Sequence, residues 1–271
     1  MRDLVMLGAT RVEPSVVAVV ASLVLVVVAV VLSVVQRLGL ERELVGSALR
    51  AGVQLTAIGG ALHLVLRPGR SLWPCWVWVA VMVIFAAWTN RRRAPEVPGA
   101  FWLGTVAYLL ALVVSLGVLF GFGVFPLEAR TLVPLSGMVV GNSLASTVLV
   151  GRRIVAELGD RRDEVEARLA LGMTSAEAAH PFVRRAVRTA LVPQIETTKA
   201  VGIVFLPGAM VGLILAGADP ITAVKVQMAV MYLILGAVAT TTAVTGLGVT
   251  RQLFTSDHRL RRLERPPTPN S

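Results

Sequence analysis

Thr131–Gly151 reads TLVPLSGMVVGNSLASTVLVG, without one charged residue, and the chain then changes character at once. The stretch that follows, Arg152–Arg188, reads RRIVAELGDRRDEVEARLALGMTSAEAAHPFVRRAVR and holds eight arginines and six acids. An uncharged run of that length fits the hydrocarbon core of a bilayer, about 30 Å thick and crossed by roughly 17–25 apolar residues of helix. A segment this rich in charge belongs in water. Together they predict a membrane protein with one substantial aqueous loop.

Six further runs lack charge: Val16–Val35, Ala51–Leu66, Ser71–Asn90, Val97–Leu127, Ala200–Ala218 and Val226–Thr250. Ala51–Leu66 is short and reaches spanning length only when extended back to about Leu44, which puts Arg50 inside the helix. An arginine near a helix end reaches the interface through its long stem. The expected fold is therefore all-α and polytopic, with about seven transmembrane helices. A mean hydropathy of +0.75 agrees. The first run is read as an uncleaved span, since a signal peptide's apolar region is usually about 7–15 residues. Trp73, Trp76 and Trp78 fit an interfacial aromatic belt. One cysteine, Cys75, excludes an internal disulfide and a cysteine-cluster metal site.

The net charge of +10 is placed by topology and does not point to nucleic acid. Loops on the cytoplasmic side are enriched in Lys and Arg. With the amino terminus outside and the carboxyl terminus inside, the inner side collects Arg37, Arg42, Arg91–Arg93, the arginines of 152–188, and Arg251, Arg259, Arg261, Arg262 and Arg265. The outer side keeps only Arg2, Arg11, Arg67, Arg70 and Arg130. That imbalance sets the orientation, in the cell inner (plasma) membrane. Residues 1–258 are read as one membrane domain, and 259–271, basic and proline-rich, as a disordered cytoplasmic tail.

Several chemistries are poorly supported. No Asp or Glu lies in any of the runs and His63 is their only histidine, whereas ion-coupled transporters and proton pumps rely on buried ionisable groups. A nucleotide-binding P-loop needs Gly-Lys-Ser/Thr; the only lysines, Lys199 and Lys225, follow Thr198 and Val224. The chain is thus no ATPase by itself. Ser143, beside Gly141 and Asn142, lacks a histidine base on any later run, so packing is the better reading than a serine hydrolase.

Within the loop 152–190, Arg161–Leu171 reads as an amphipathic helix. Val165 and Leu169, with Met173, lie on one face, and Arg162–Glu166 and Glu164–Arg168 pair on the other. Gly172 ends it in the left-handed conformation. Thr174 and Glu177 have the spacing of a capping box that starts a second helix, carrying Arg184, Arg185 and Arg188 and kinked at Pro181. Helix, sharp turn, helix is the shape of a docking element rather than of a slack connector. Glu166-Ala167, Gly172 and the following Leu191-Val192-Pro193 resemble the EAA-type loop of ABC-transporter permeases, which couples to an ATP-binding subunit.

A longer likeness follows. Leu191-Val192-Pro193-Gln194-Ile195-Glu196-Thr197-Thr198-Lys199-Ala200-Val201-Gly202 runs into Leu206-Pro207-Gly208-Ala209-Met210-Val211-Gly212, then Leu215-Ala216-Gly217-Ala218-Asp219-Pro220 and Ala223-Val224-Lys225-Val226-Gln227. With Leu132-Val133-Pro134-Leu135-Ser136-Gly137-Met138-Val139-Val140-Gly141-Asn142, this resembles the FetB/YbbM-type permeases, a family of bacterial iron exporters and plant aluminium-sensitivity membrane proteins. Where the family pattern has Asp, Met, Thr, Gln and Tyr, this chain has Glu196, Ala209, Val211, Leu213 and Val226; the first exchange keeps a carboxylate. The resemblance implies a permease that pairs with itself and with a separate ABC ATP-binding subunit, and exports iron or another metal, without a bound cofactor. An importer permease for a small solute, or a membrane assembly or binding protein without transport, are the alternatives.

Read physically, Pro207 removes a backbone donor mid-run and Gly208 adds freedom, so a kink at 206–208 either lines a pathway, hinges it, or serves packing alone. Gly137 and Gly141, like Gly208 and Gly212, permit close helix approach. Glu196 and Lys199 pair at i, i+3 as an interfacial anchor or as a gate linked to the loop. Met138, Met210, Met228 and Met231 offer thioethers, though methionine in a helix is commonly filler. The candidate pathway or hinge residues are Gly137, Met138, Asn142, Glu196, Lys199, Pro207, Gly208 and Met210. The candidate coupling residues are Glu166, Gly172, Thr174, Glu177, Arg184 and Arg185. The metal ligands are left open.

Overall fold

The computed structural model describes residues 16–65 and 71–261, and they fall into two compact units. One comprises the chain up to Ser71 together with Val211–Pro220; the other comprises Leu72–Met210 and the chain from Ile221 onward. Arg2, Arg11, Arg67 and Arg70, and the part of the expected tail from 262 to 271, lie outside the described residues.

In the first unit, α1 (Val16–Ala21) and α2 (Leu23–Val35) divide the first uncharged run at Ser22. The valine-rich sequence is a modest helix former in water, but in lipid a helix is the one local structure that satisfies every backbone group within the segment. The chain leaves α2 through Arg37, whose φ of 53° is left-handed, and Leu38 N–H returns to the Ser33 carbonyl at 2.9 Å. Buried Ser33 then ties the corner: its hydroxyl donates to Glu41 Oε1 at 2.8 Å and accepts from Leu40 N–H at 3.2 Å. Helix α3 (Glu41–Val65) carries Arg50 inside it, as the backward extension of the second run requires.

The second unit is built on α4 (Trp73–Arg93), α5 (Ala100–Gly121), α6 (Ala129–Asp160), α7 (Arg162–Ala170), α8 (Ser175–Ala200) and α10 (Pro220–Leu253). Between them lies α9 (Gly208–Leu215), whose first residues belong here and whose remainder is grouped with the first unit. Four of these helices, α4, α5, α6 and α10, are long and apolar enough to cross a membrane. No β-strand is found among the described residues, only isolated bridges such as Val201–Phe205.

Small residues allow the close packing. Asn90, 3% exposed, donates its amide to the Ala100 carbonyl at 2.9 Å, and it lies over Gly104, where a Cβ would come within 2.7 Å of it. On α10, a Cβ at Gly248 would strike Leu103 of α5, and one at Gly246 would meet Val187 of α8 at 3.2 Å. Glycine there sets how near α10 lies to its neighbours.

Two expectations are corrected. The fifth run does not hand over to a separate loop: α6 has 32 residues, roughly 48 Å at 1.5 Å per residue, so it continues past the bilayer thickness into the charged segment. The sixth run is not a kinked helix. Helix α8 stops at Ala200, Val201–Pro207 is non-helical, and α9 is a separate helix of 8 residues. Pro207 disfavours helical backbone at Leu206 and lacks a donor, and Gly202 sits at φ 84°. Two breakers five residues apart unwind the segment where one would have bent it. Pro181 and Pro193, by contrast, are both accommodated inside α8.

Candidate functional site

At the charged end, α6, α7, α8 and α10 converge on one apolar core. Val165 of α7 is fully buried, as are Leu158, Phe182 and Leu253; Leu260 is buried beside them, and Leu169 packs against the same core. The amphipathic face read from the sequence is thus present at Val165 and Leu169, while Met173 is exposed. On the outer face Arg162 Nε meets Glu166 Oε1 at 2.6 Å and Arg168 meets Glu164 at 3.2 Å. Exposed pairs of this kind add only about 0.3–0.5 kcal/mol each, so the buried valine holds α7 in place.

The turn to α8 is sharply built. Gly172 has φ 86°, and Gly172 and Met173 N–H return to the Leu169 and Arg168 carbonyls at 3.0 and 3.3 Å. Thr174 Oγ1 accepts from Glu177 N–H at 3.3 Å, and Glu177 Oε2 accepts from the Thr174 N–H and hydroxyl, both at 2.8 Å. The backbone N–H of Thr174 first, and its hydroxyl second, hold the Glu177 carboxyl below its ordinary range. The apex carries Leu171, 80% exposed, and Met173 beside it. The elbow thus presents two large apolar side chains on its surface.

The arginines of α8 divide. Arg185 lies 3.6 Å from Glu157 and over the Phe182 ring at 5.1 Å, tied into the fold. Arg184 faces outward and, with His180, Arg188 and Ile195, lines a groove of about 490 Å³ along α8. A further brace lay hidden from the sequence. Phe254 and Leu260 are buried in the core, Arg162 donates to the Leu260 and Arg261 carbonyls at 3.2 and 3.4 Å, and Ser175 brings its hydroxyl to His258 Nδ1 at 2.9 Å. The tail expected to be disordered from Arg259 is therefore packed as far as Arg261.

The break between α8 and α9 opens onto a cavity of about 280 Å³. Helix α6 contributes Met138 and Asn142, α8 contributes Gln194 and Thr197, and α10 contributes Gln227 and Met231; Pro207 and Gly208 close it at the break. None of the lining residues is charged. Gln227 is 4% exposed and its Oε1 is buried without a hydrogen-bond partner. Among the described residues, no three His, Cys, Asp or Glu side chains gather where they could hold a metal ion.

Of the candidate pathway residues, the structure brings Met138, Asn142, Pro207 and Gly208 together at this cavity. Gly137 faces Met82 instead, 3.6 Å from where its Cβ would lie, and Met210 does not line the space. Glu196 and Lys199 pair at 2.9 Å on an exposed face of α8, off the cavity. Sequence reasoning passed over Gln194, Thr197 and Gln227. Polar side chains one turn apart on α8, and a glutamine early in an apolar helix, were the available signals. Ser143 is fully buried with no partner for its hydroxyl, an arrangement with no activating base.

Residues 16–254 match the uncharacterised protein family UPF0014, and the chain belongs to that family of membrane proteins. It is 32% identical over 243 residues to UPF0014 membrane protein YjkA of Bacillus subtilis, covering 90% of this chain and 97% of that one. It is 35% identical over 225 residues to protein ALUMINUM SENSITIVE 3 of Arabidopsis thaliana, covering 83% and 82%. It is 31% identical over 248 residues to probable iron export permease protein FetB of Escherichia coli, covering 88% and 92%. No solved structure matches the chain.

Proposed function

We propose that this UPF0014 member is the membrane permease subunit of an ATP-driven exporter of a metal ion, iron foremost, working as a homodimer with a separate ATP-binding subunit. In this reading the chain crosses the plasma membrane seven times, amino terminus outside and carboxyl terminus inside, with α8 and α9 contributing one interrupted crossing. The elbow at Leu171–Thr174 docks on the ATP-binding subunit, with Glu166, Glu177 and Arg184 around the contact and Arg185 bracing α8 behind it. The cargo comes from the name of the Escherichia coli relative.

The observation that carries the reading is the interrupted helix beside a cavity that sets Asn142, Gln194, Thr197 and Gln227 among apolar side chains. Non-helical backbone is tolerated at membrane depth only where protein or a water-filled cavity satisfies it, and transporters use such breaks for their substrates. The elbow and the cavity share α8. In this reading, force applied at Leu171 and Met173 passes through the core around Val165 and Phe182, and along α8 to Gln194 and Thr197, one turn before the helix ends at Ala200. Closure of the ATP-binding subunits would drive that lever and change which side the cavity faces.

Transport in inverted vesicles containing the chain and its cognate ATP-binding subunit tests this. ATP-dependent iron uptake is the expected result. Transport by the chain alone without nucleotide, or indifference to every metal offered, would overturn it.

A further inference from the structure

We propose that the Glu196–Lys199 face of α8 packs against the same face of a second copy of this chain, so that four charges, two from each copy, form one cluster on a two-fold axis at mid-membrane. This rests on the export-permease reading, which has two copies, and adds to it the surface through which they meet.

Gln194 and Thr197 line the same cavity as Met138 and Asn142, which lie near the middle of the charge-free run of α6. Glu196 sits between those two α8 residues, and Lys199 comes two residues after Thr197, about 3 Å further along the axis. From the other direction, Arg188, the last arginine of the charged segment, comes roughly 16 Å before Lys199 on the same helix. Half the thickness of the hydrocarbon core is about 15 Å. The pair that the sequence offers as an interfacial anchor therefore lies at mid-depth. A lysine stem reaches water only from near a membrane surface.

Both side chains are nevertheless open, 61% exposed at Glu196 and 67% at Lys199. Exposed valine or isoleucine on a membrane helix needs no cover, since lipid tails are as apolar as they are. Exposed charge does. Ionisable side chains at this depth are costly in lipid and turn toward protein or a water-filled space. Among the described residues the pair meets only itself, with Lys199 Nζ donating to Glu196 Oε1 at 2.9 Å. One carboxylate oxygen and two ammonium hydrogens are left over.

The pattern of charge selects the occupant. A two-fold interface sets a patch against itself. A patch of one sign would repel its copy, whereas this one carries an acid and a base. Glu196 of each copy then meets Lys199 of the partner subunit, and the four charges sum to zero. A soluble ATP-binding subunit meets the chain only at its water-facing end and does not reach this depth. Helix α8 becomes a partition, with the cavity beside Gln194 and Thr197 on one side and the second copy on another.

The test is thiol cross-linking in membranes that hold the full chain with the proposed ATP-binding subunit, in a Cys75→Ala background. Val192→Cys, one turn before Glu196, and Ile203→Cys, 90% exposed just beyond α8, should each oxidise to a dimer of the chain. Val113→Cys, exposed midway along α5, should stay a single chain. Charge variants carrying different tags give a second readout. Glu196→Lys holds two bases and Lys199→Glu two acids, so each repels its own copies and attracts the other's. Co-expressed, the two should co-purify at least tenfold more than either does with its own kind; a pair acting only within one chain would show no such preference. Dimers at Val113→Cys but at neither α8 position, single chains throughout, or no preference between the charge variants would overturn the proposal. If the complementary variants select each other but vesicles of the native chain take up no metal with ATP, the interface stands and the export reading falls. If ATP-driven uptake is intact and the copies join elsewhere, the interface is wrong and the export reading stands.

Discussion

Gly172 and Thr174 fix the elbow by different physics, backbone freedom in one and a capping bond in the other. Gly172→Ala forces a Cβ into the left-handed region, which costs roughly 1–2 kcal/mol, with open space around it and therefore no clash to add. Thr174→Ala removes the helix cap and should cost about 1 kcal/mol; thermal unfolding in detergent reads both. The cap also predicts an acid dependence. Because the folded Glu177 carboxyl titrates below its ordinary value of 4.5, its contribution is complete above that pH and is lost as pH falls through the lower folded value. The acid-side decline of the melting temperature should shrink in Glu177→Gln. The two neighbouring arginines should separate in the same measurements. Arg184→Glu is expected to leave the melting temperature unchanged and abolish association with the proposed ATP-binding subunit, whereas Arg185→Glu lowers both, having lost Glu157 and Phe182.

At the scale of elements, the α4–α5 contact turns on Asn90. Gly104→Val should displace its amide from the Ala100 carbonyl and leave a buried polar group unsatisfied, costing about 1–3 kcal/mol, measured as a lowered melting temperature. Asn90→Ala in the same background should add little, because the bond is already gone. The helices themselves were largely legible in the sequence, since charge-free runs mark what lipid permits, and Thr174 with Glu177 announced the start of α8. The break after Ala200 was legible only as a kink. Its extent depends on Gly202 and Pro207 acting together, with Gly202 N–H turned to the Phe205 carbonyl at 2.9 Å, a local bond that hydropathy does not report. The cavity was legible in part of its wall: Asn142, Pro207 and Gly208 stood out as a polar intruder and two breakers, and Met138 as a thioether, while Gln194, Thr197 and Gln227 became neighbours only through the packing of α8 and α10.

For the whole molecule, the sidedness of the loops is the prediction with the widest reach. Cys75 is 1% exposed, so the native chain gives little background to membrane-impermeant thiol reagents. Met173→Cys on the elbow should react only from the cytoplasmic face of sealed vesicles, and Phe122→Cys in the α5–α6 connection only from the opposite face. Labelling of both from one side would reject the orientation. The arginine distribution is the sequence's argument for that orientation, whereas nothing in the sequence announced the brace formed by Phe254–Arg261, because a short basic segment looks like solvent until Leu260 finds its pocket. Arg162 grips that segment by main-chain oxygens at 260 and 261, atoms that every amino acid supplies. Evolutionary drift can therefore rewrite position 261 freely, and position 260 among bulky aliphatics, without loosening the clasp, so divergent sequences near the chain's end are compatible with an unchanged latch.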